Sequence, residues 1–410
     1  MIGILPTELV EYTLTFCQPK DVAAFSQTCQ QSRALIYESD DQFLWRELFL
    51  AAPFDDPIDS PNQDPELPRG WKGELQARIQ AEALVTLSYE DMRARDHDSI
   101  SNAFDTLVRV LHATSPGKVK NLDWLASTAA KSFVFNDYDR FPRFLSNTQP
   151  VHQLLLLSWD LSGFRTSKGG LRGRILDDAR YFVYNLSKYS VKSNWGAFCL
   201  SGSEGGALMF TANWEHIRHC VHILQLRGGD VEFPPYDLCN AIAYSAPGSH
   251  SRASDDWAGV EGVWMRDVRF LDYGTLIDLN ATADEYGNLS PYEGEFLEGF
   301  TRFQVAMKIV RDLKPEEHFV ISRRPLNADK RHPRLDFIGF GMSELSLGPE
   351  GQTALRGHVD RLVDGSILWT SLSAPNLGNW SFAGFQLGGP CSASGVVGTW
   401  TTSGHNFGAL

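Results

Sequence analysis

The sequence predicts an α+β protein: short N-terminal helices, a mainly helical middle region, and a C-terminal antiparallel sheet closed into a β-barrel or folded as a sandwich. Three observations predict it. Apolar residues recur at three and four residue spacing up to about residue 250. Beyond residue 255 the pattern changes to a period of two, as in Arg302 to Ile309. Glycines then recur from 262 to 398, as the tight turns and bends of a curved sheet require. The expected divisions are 1–50, a Pro/acid-rich linker 51–70, a helical region 71–250 and a sheet domain 255–410.

Composition supports large cores. In 410 residues 43% are hydrophobic, with 11 Trp, 12 Tyr and 25 Phe. A net charge of −13 argues against a sequence-independent grip on nucleic-acid phosphates. Met1 to Pro6 lacks the basic start and long apolar stretch of a secretory signal, and the longest aliphatic run, Leu154 to Leu157, is too short to span a bilayer. Six scattered cysteines, at 17, 29, 199, 220, 239 and 391, form no Cys-x-x-Cys pair, so reduced thiols are expected. A cytoplasmic or nuclear protein follows as the expectation, with no membrane partner.

The first stretch reads as three short helices. Pro6 suits a first helical turn, and Leu9, Val10, Leu14 and Cys17 form one apolar stripe. Pro19 ends that helix by biasing Gln18 away from helical geometry. Asp21 favours the start of the next, which carries Val22, Phe25, Ser26 and Cys29 on one face. A third ends in Trp45, Leu48 and Phe49. So small a unit buries too little apolar surface to stand alone and is expected to dock on something.

Five prolines and five acids between 51 and 70 exclude a regular helix or central strand. From Trp71 a helix is expected with Trp71, Leu75, Ile79 and Ala83 inward and Lys72, Glu74, Gln76 and Arg78 outward. Further helices are expected at Ile100–His112, Leu122–Phe133, Gln153–Trp159, Leu176–Leu186 and Trp214–Leu226, with a polar turn region at Asn194–Gly206. Trp257–Asn280 reads as extended, followed by a strand at Phe303–Ile309. His358–Val363 and Ser366–Leu372 flank an Asp364-Gly365 turn, a strong hairpin signal. Phe382–Leu387 and Val396–Thr401 make another pair. Seven or eight strands would suffice for a barrel or sandwich.

Across about 45 residues, Leu5-Pro6-x-Glu8-Leu9, Asp21-Val22, Cys29, Arg33, Leu35 and Trp45-x-x-Leu48 together resemble an F-box, with Thr13 and Cys17 where that family usually carries Ile and Leu. Gly262-Val263-Trp264 is similar to the Gly-x-Trp that opens lipocalin-like barrels. With Phe270-Leu271-Asp272-Tyr273, Gly384–Gly388 and Gly395–Thr401 it resembles the C-terminal barrel of a group of fungal F-box proteins. The resemblance implies a non-catalytic substrate-recognition subunit of an SCF-type (Skp–cullin–F-box) ubiquitin ligase. Its F-box would dock on a Skp-type adaptor that bridges to a cullin–RING ligase. Leu5, Pro6, Glu8, Leu9, Phe25, Leu35, Trp45 and Leu48 would then form or support the adaptor surface. A protein substrate would be met by the sheet domain, where Trp264, Arg266, Arg302, Trp369, Gln386 and Trp400 are candidate lining or rim residues, because aromatics and Arg dominate recognition hot spots. The rival expectation is a lipocalin-like small-molecule binder with a helical cap.

The constellations that could carry chemistry are thin. His216, His219, Cys220 and His222 share one predicted helix, but zinc needs further ligands with no obvious source. Cys391 and His405 could pair as nucleophile and base, though nothing in their spacing demands it. Gly202 to Gly206 lacks both the P-loop Lys and the dinucleotide spacing. Lys168, Arg172, Arg174 and Arg180 read as a solvated basic face. No catalytic residues, cofactor or metal are expected.

Overall fold

The computed structural model describes residues 5–39, 41–56, 70–112, 120–136, 145, 149–157, 169–204, 207–226, 255–311, 332–343, 352–362, 364–373, 380–387 and 395–402. The linker at 57–69, Lys168, Gly205, Gly206, Cys239, Cys391 and His405 lie outside them. The chain divides into two compact units, Met1–Leu154 and Leu155–Leu410.

The first unit opens with four short helices rather than three: α1 (Thr7–Leu14), α2 (Pro19–Ser26), α3 (Gln30–Tyr37) and α4 (Phe43–Ala51). Pro19 begins α2 at a position where a missing N–H costs nothing, while α1 has already stopped at Leu14. Cys29 does not extend the face of α2. It caps α3, its Sγ accepting from the Ser32 N–H at 3.4 Å. The buried residues of α2 are Val22 and Ser26.

Next come α5 (Gly70–Val85), α6 (Tyr89–Arg93), α7 (His97–His112), α8 (Lys120–Lys131), α9 (Phe133–Asn136) and α10 (Gln149–Leu157). The expected inner face of α5 is corrected. Ile79 is 40% exposed, whereas Glu74, Leu75 and Arg78 are buried. The reason is a buried ionic cluster. Arg78 Nε donates to Glu74 Oε1 at 2.8 Å, and its guanidinium lies 4.8 Å from the Phe49 ring and 4.7 Å from the Phe54 ring. Arg109 on α7 donates to both Glu74 oxygens at 2.9 and 2.8 Å, and Asn121 on α8 accepts from Arg78 Nη1 at 3.0 Å. A charge buried with all its partners is tolerated in a core, and here it fastens α4, α5, α7 and α8 together.

The second unit is mixed. α11 (Gly169–Val183) and two 3-10 turns lead into a hairpin, β1 (Phe198–Glu204) and β2 (Ala207–Ala212), where an irregular turn region was expected. Gly202 to Glu204 therefore belong to a strand. α12 (Trp214–Leu226) follows as expected, then β3 (Gly262–Leu271) and α13 (Tyr273–Ala281). The extended reading of Trp257–Asn280 fails from Asp272 onward. That carboxylate accepts from the Gly274 and Thr275 N–H groups and starts a helix.

The remaining strands are β4 (Glu298–Ile309), β5 (Leu335–Ser343), β6 (Gln352–Arg361), β7 (Ile367–Ser373), β8 (Trp380–Gln386) and β9 (Val396–Thr402). β3 to β9 form one seven-stranded antiparallel sheet in chain order. It curls into a half-barrel. Trp400 on β9 comes back to β3, its Nε1 3.5 Å from the Arg269 carbonyl and its ring 6.4 Å from that of Phe270. No β3–β9 ladder occurs among the described residues. One core cluster of the sheet includes Val305, Phe337, Val359 and Trp369. A second joins Val183 at the end of α11 and Tyr184 just past it, Cys220 and Ile223 of α12, and Leu276 and Leu279 of α13.

Candidate functional site

Two features stand out, one in each unit. In the first, α1 is amphipathic in an unusual sense. Val10 and Leu14 point into the protein, at 9% and 6% exposure. Leu5, Leu9, Tyr12 and Phe16 lie along the opposite side at 56%, 53%, 57% and 76%. Leu9 and Tyr12, three residues apart, share one face of α1; Phe16 follows in the turn past its end and Leu5 precedes it. Tyr12 and Phe16 meet edge to face with centroids 5.2 Å apart. Pro6 and Glu8 are exposed beside this group, and Phe25 and Leu35 are half-buried.

Trp45 and Leu48 are core residues, at 6% and 2% exposure, so any part they take is as support. Trp45 Nε1 donates to the Ile36 carbonyl at 3.1 Å, locking α4 to α3. Thr13 is exposed and closes its hydroxyl on the Leu9 carbonyl at 2.7 Å; Cys17 is half-buried. The sequence stripe of Leu9, Val10, Leu14 and Cys17 mixes buried and exposed positions and omits Tyr12 and Phe16. The alternative spacing through Leu5, Leu9, Tyr12 and Phe16 was equally legible.

In the second unit a cavity of about 230 Å³ lies in the hollow of the curled sheet, with Val183, Tyr184, Cys220 and Leu224 from the helical side. On the scale where one water needs about 10–15 Å³, this is far more than a packing void. Four of the six expected lining residues are there: Trp264, Arg266, Trp369 and Trp400. Trp264 and Trp369 meet at a tilt of 59° with ring centroids 5.2 Å apart. Their indole donors are occupied by the Val260 carbonyl at 2.9 Å and by Gln386 Oε1 at 2.8 Å. The rings therefore offer the cavity apolar surface. Val305, Met307, Phe337, Leu355 and Phe382 complete it.

The other two expected residues have structural work. Arg302 faces Asp267 across β3 and β4 in a two-point ion pair at 2.8 and 3.1 Å. Gln386 is 1% exposed and bridges Trp369 to the Ala258 carbonyl, donating to the latter at 3.1 Å. Neither lines the cavity.

Arg266 has no such partner. Among the described residues no carboxylate pairs with it, and its side chain makes no hydrogen bond; the contact that remains is the Phe382 ring, 5.9 Å from the guanidinium carbon. Arg266 is half-buried and lines the cavity, and the protein packed around it desolvates the guanidinium and lowers its pKa.

The histidine helix is packed against its neighbours. His216, His219 and His222 are buried, and no group of three metal-ligating side chains occurs among the described residues. The Tyr189 hydroxyl donates to the Val183 carbonyl at 2.7 Å, so His216 Nε2 donates to that hydroxyl at 3.1 Å. Burial, reinforced by Lys188, pushes His216 down to about 4. Burial pushes the Cys220 thiol up to about 12, which leaves it a poor nucleophile. Arg180, expected on a solvated basic face, instead binds Glu298 with Nε at 3.2 Å and Nη2 at 3.1 Å.

No helix among the described residues is long and apolar enough to cross a membrane. No family model matches the chain, and no solved structure matches it significantly.

Proposed function

We propose that the chain is a substrate-recognition subunit of an SCF-type ubiquitin ligase. In this reading α1 to α4 are an F-box that docks on a Skp-type adaptor, and through it on a cullin–RING ligase. The curled sheet, read as a lipocalin-like barrel, faces a protein substrate. The observation that carries the reading is the exposed apolar group on and flanking α1: Leu5, Leu9, Tyr12 and Phe16. Contiguous exposed apolar surface of this kind marks a partner site, and it falls within the segment whose residues resemble an F-box. The subunit performs no bond chemistry. It holds a substrate near a charged conjugating enzyme and raises the effective concentration of the acceptor lysine.

Co-expression with a Skp-type adaptor followed by size exclusion tests this. The full chain is expected to form a one-to-one complex, and L9E/Y12E to lose it while keeping the same thermal unfolding. Equal co-elution of the variant would refute the docking assignment. The cavity favours a second reading, a lipocalin-like small-molecule binder with a helical cap. It predicts ligand uptake and no adaptor complex.

A further inference from the structure

We propose that the sheet cavity is a binding site for an apolar molecule carrying a single carboxylate, with Arg266 as the group that receives the carboxylate. The inference rests on the cavity and not on adaptor docking.

The walls set the class of ligand. Trp264, Trp369, Phe337, Leu355 and Phe382 present carbon surface, and the two indole N–H groups are already spoken for. Such a lining takes an apolar body. Arg266 sets the head group. A guanidinium removed from water is costly unless it is paired. Three covered or half-covered arginines follow that rule: Arg78 has Glu74, Arg180 has Glu298, and Arg334 has Asp360 at 2.8 and 2.9 Å. Arg266 has only a ring face at 5.9 Å, which compensates weakly. A planar fork of donors beside an apolar hollow fits one carboxylate bidentately.

One head group is enough. Asp267, the acidic neighbour, is held by Arg302 and does not compete. No second unpaired cation adjoins Arg266 among the described lining residues, so a dianionic phosphate head would remain half compensated. Either a free amphiphilic acid or the carboxyl end of a peptide offers this chemistry.

Both sources are tested on the full chain by tryptophan fluorescence titration. Probes are decanoate, the equally long 1-decanol, and N-acetyl-Leu-Leu with its carboxylate free or amidated. The wild type is expected to prefer an acid over its neutral counterpart by about tenfold or more, the value of one hydrogen bond to a charged group. In R266M that preference should vanish while decanol binding persists, which shows the cavity still intact. The pair that discriminates, decanoate with decanol or the acid with the amide, names the source. R266M without ligand should also melt higher than the wild type, because an unpaired, half-buried charge has gone. Equal binding of both neutral and acidic probes by the wild type, or an acid preference surviving in R266M, would overturn the proposal.

Discussion

Leu9 and Val10 are chain neighbours on one turn of α1, yet Val10 is 9% exposed and Leu9 is 53% exposed. Val10 belongs to the core and Leu9 to the exposed face. V10A should lower stability by about 1–3 kcal/mol as a large-to-small core change. L9E should stay within about 0.5 kcal/mol of the wild type. Chemical denaturation of both variants, alongside adaptor co-elution, separates the roles. A large stability loss in L9E would place the residue in the core.

Glu74 should be the most sensitive acid of the first unit. Burial raises its pKa, but Arg109 and Arg78 outweigh that and hold it below the usual carboxylate value of 4.5. A folded pKa below the unfolded one stabilises above 4.5 and loses that contribution as pH falls toward the folded value. Replacing Glu74 with Gln leaves Arg78 buried against a neutral amide and should cost about 3–5 kcal/mol. Thermal melts from pH 3 to 7 should show E74Q losing less stability on acidification than the wild type.

His216 gives a second acid dependence in a higher window. Its folded pKa of about 4 lies below the ordinary 6.5. Between those values the unfolded chain takes up a proton that the folded chain refuses, so stability falls with falling pH by up to about 1.4 kcal/mol per unit. NMR of the imidazole nitrogens should show a neutral ring with the proton on Nε2 at pH 6. A ring that titrates near 6.5 would contradict the buried pairing with Tyr189.

Two glycines should respond oppositely to alanine. A Cβ at Gly357 on β6 would collide with the Thr370 carbonyl and the Phe337 ring. G357A should therefore cost about 1–3 kcal/mol through overpacking and disturb the cavity wall formed by Phe337. At Gly173 in α11 a Cβ meets nothing within 4 Å. G173A should stabilise by about 0.4–1 kcal/mol through reduced unfolded-state freedom. Urea midpoints of the two variants check both signs.

Much of the architecture was legible because it is local. The period-two run into Ile309, the Asp364-Gly365 hairpin and the helix Trp214–Leu226 are each specified by a few neighbouring residues. β5 was not picked out, since Gly339 and Gly341 interrupt its pattern. α13 was hidden behind β3, because the stop signal is a single side chain, Asp272, capping two N–H groups. The cavity aromatics were legible as types, but Arg302 and Gln386 looked the same as Arg266 and Trp369 in one dimension.

Local sequence pattern showed where most helices and several strands run, and that a glycine-rich antiparallel sheet follows a helical region. Backbone periodicity and turn chemistry act over a few residues, so they can be read in order. Only the tertiary structure decided which faces are inside. Glu74 and Arg78 are core because Arg109, Asn121, Phe49 and Phe54 arrive from elsewhere to compensate and cover them. Arg302 is spent on Asp267, while Arg266, two residues from Trp264 on the same strand, is left facing the cavity. Whether a charge is paired depends on partners brought together by folding.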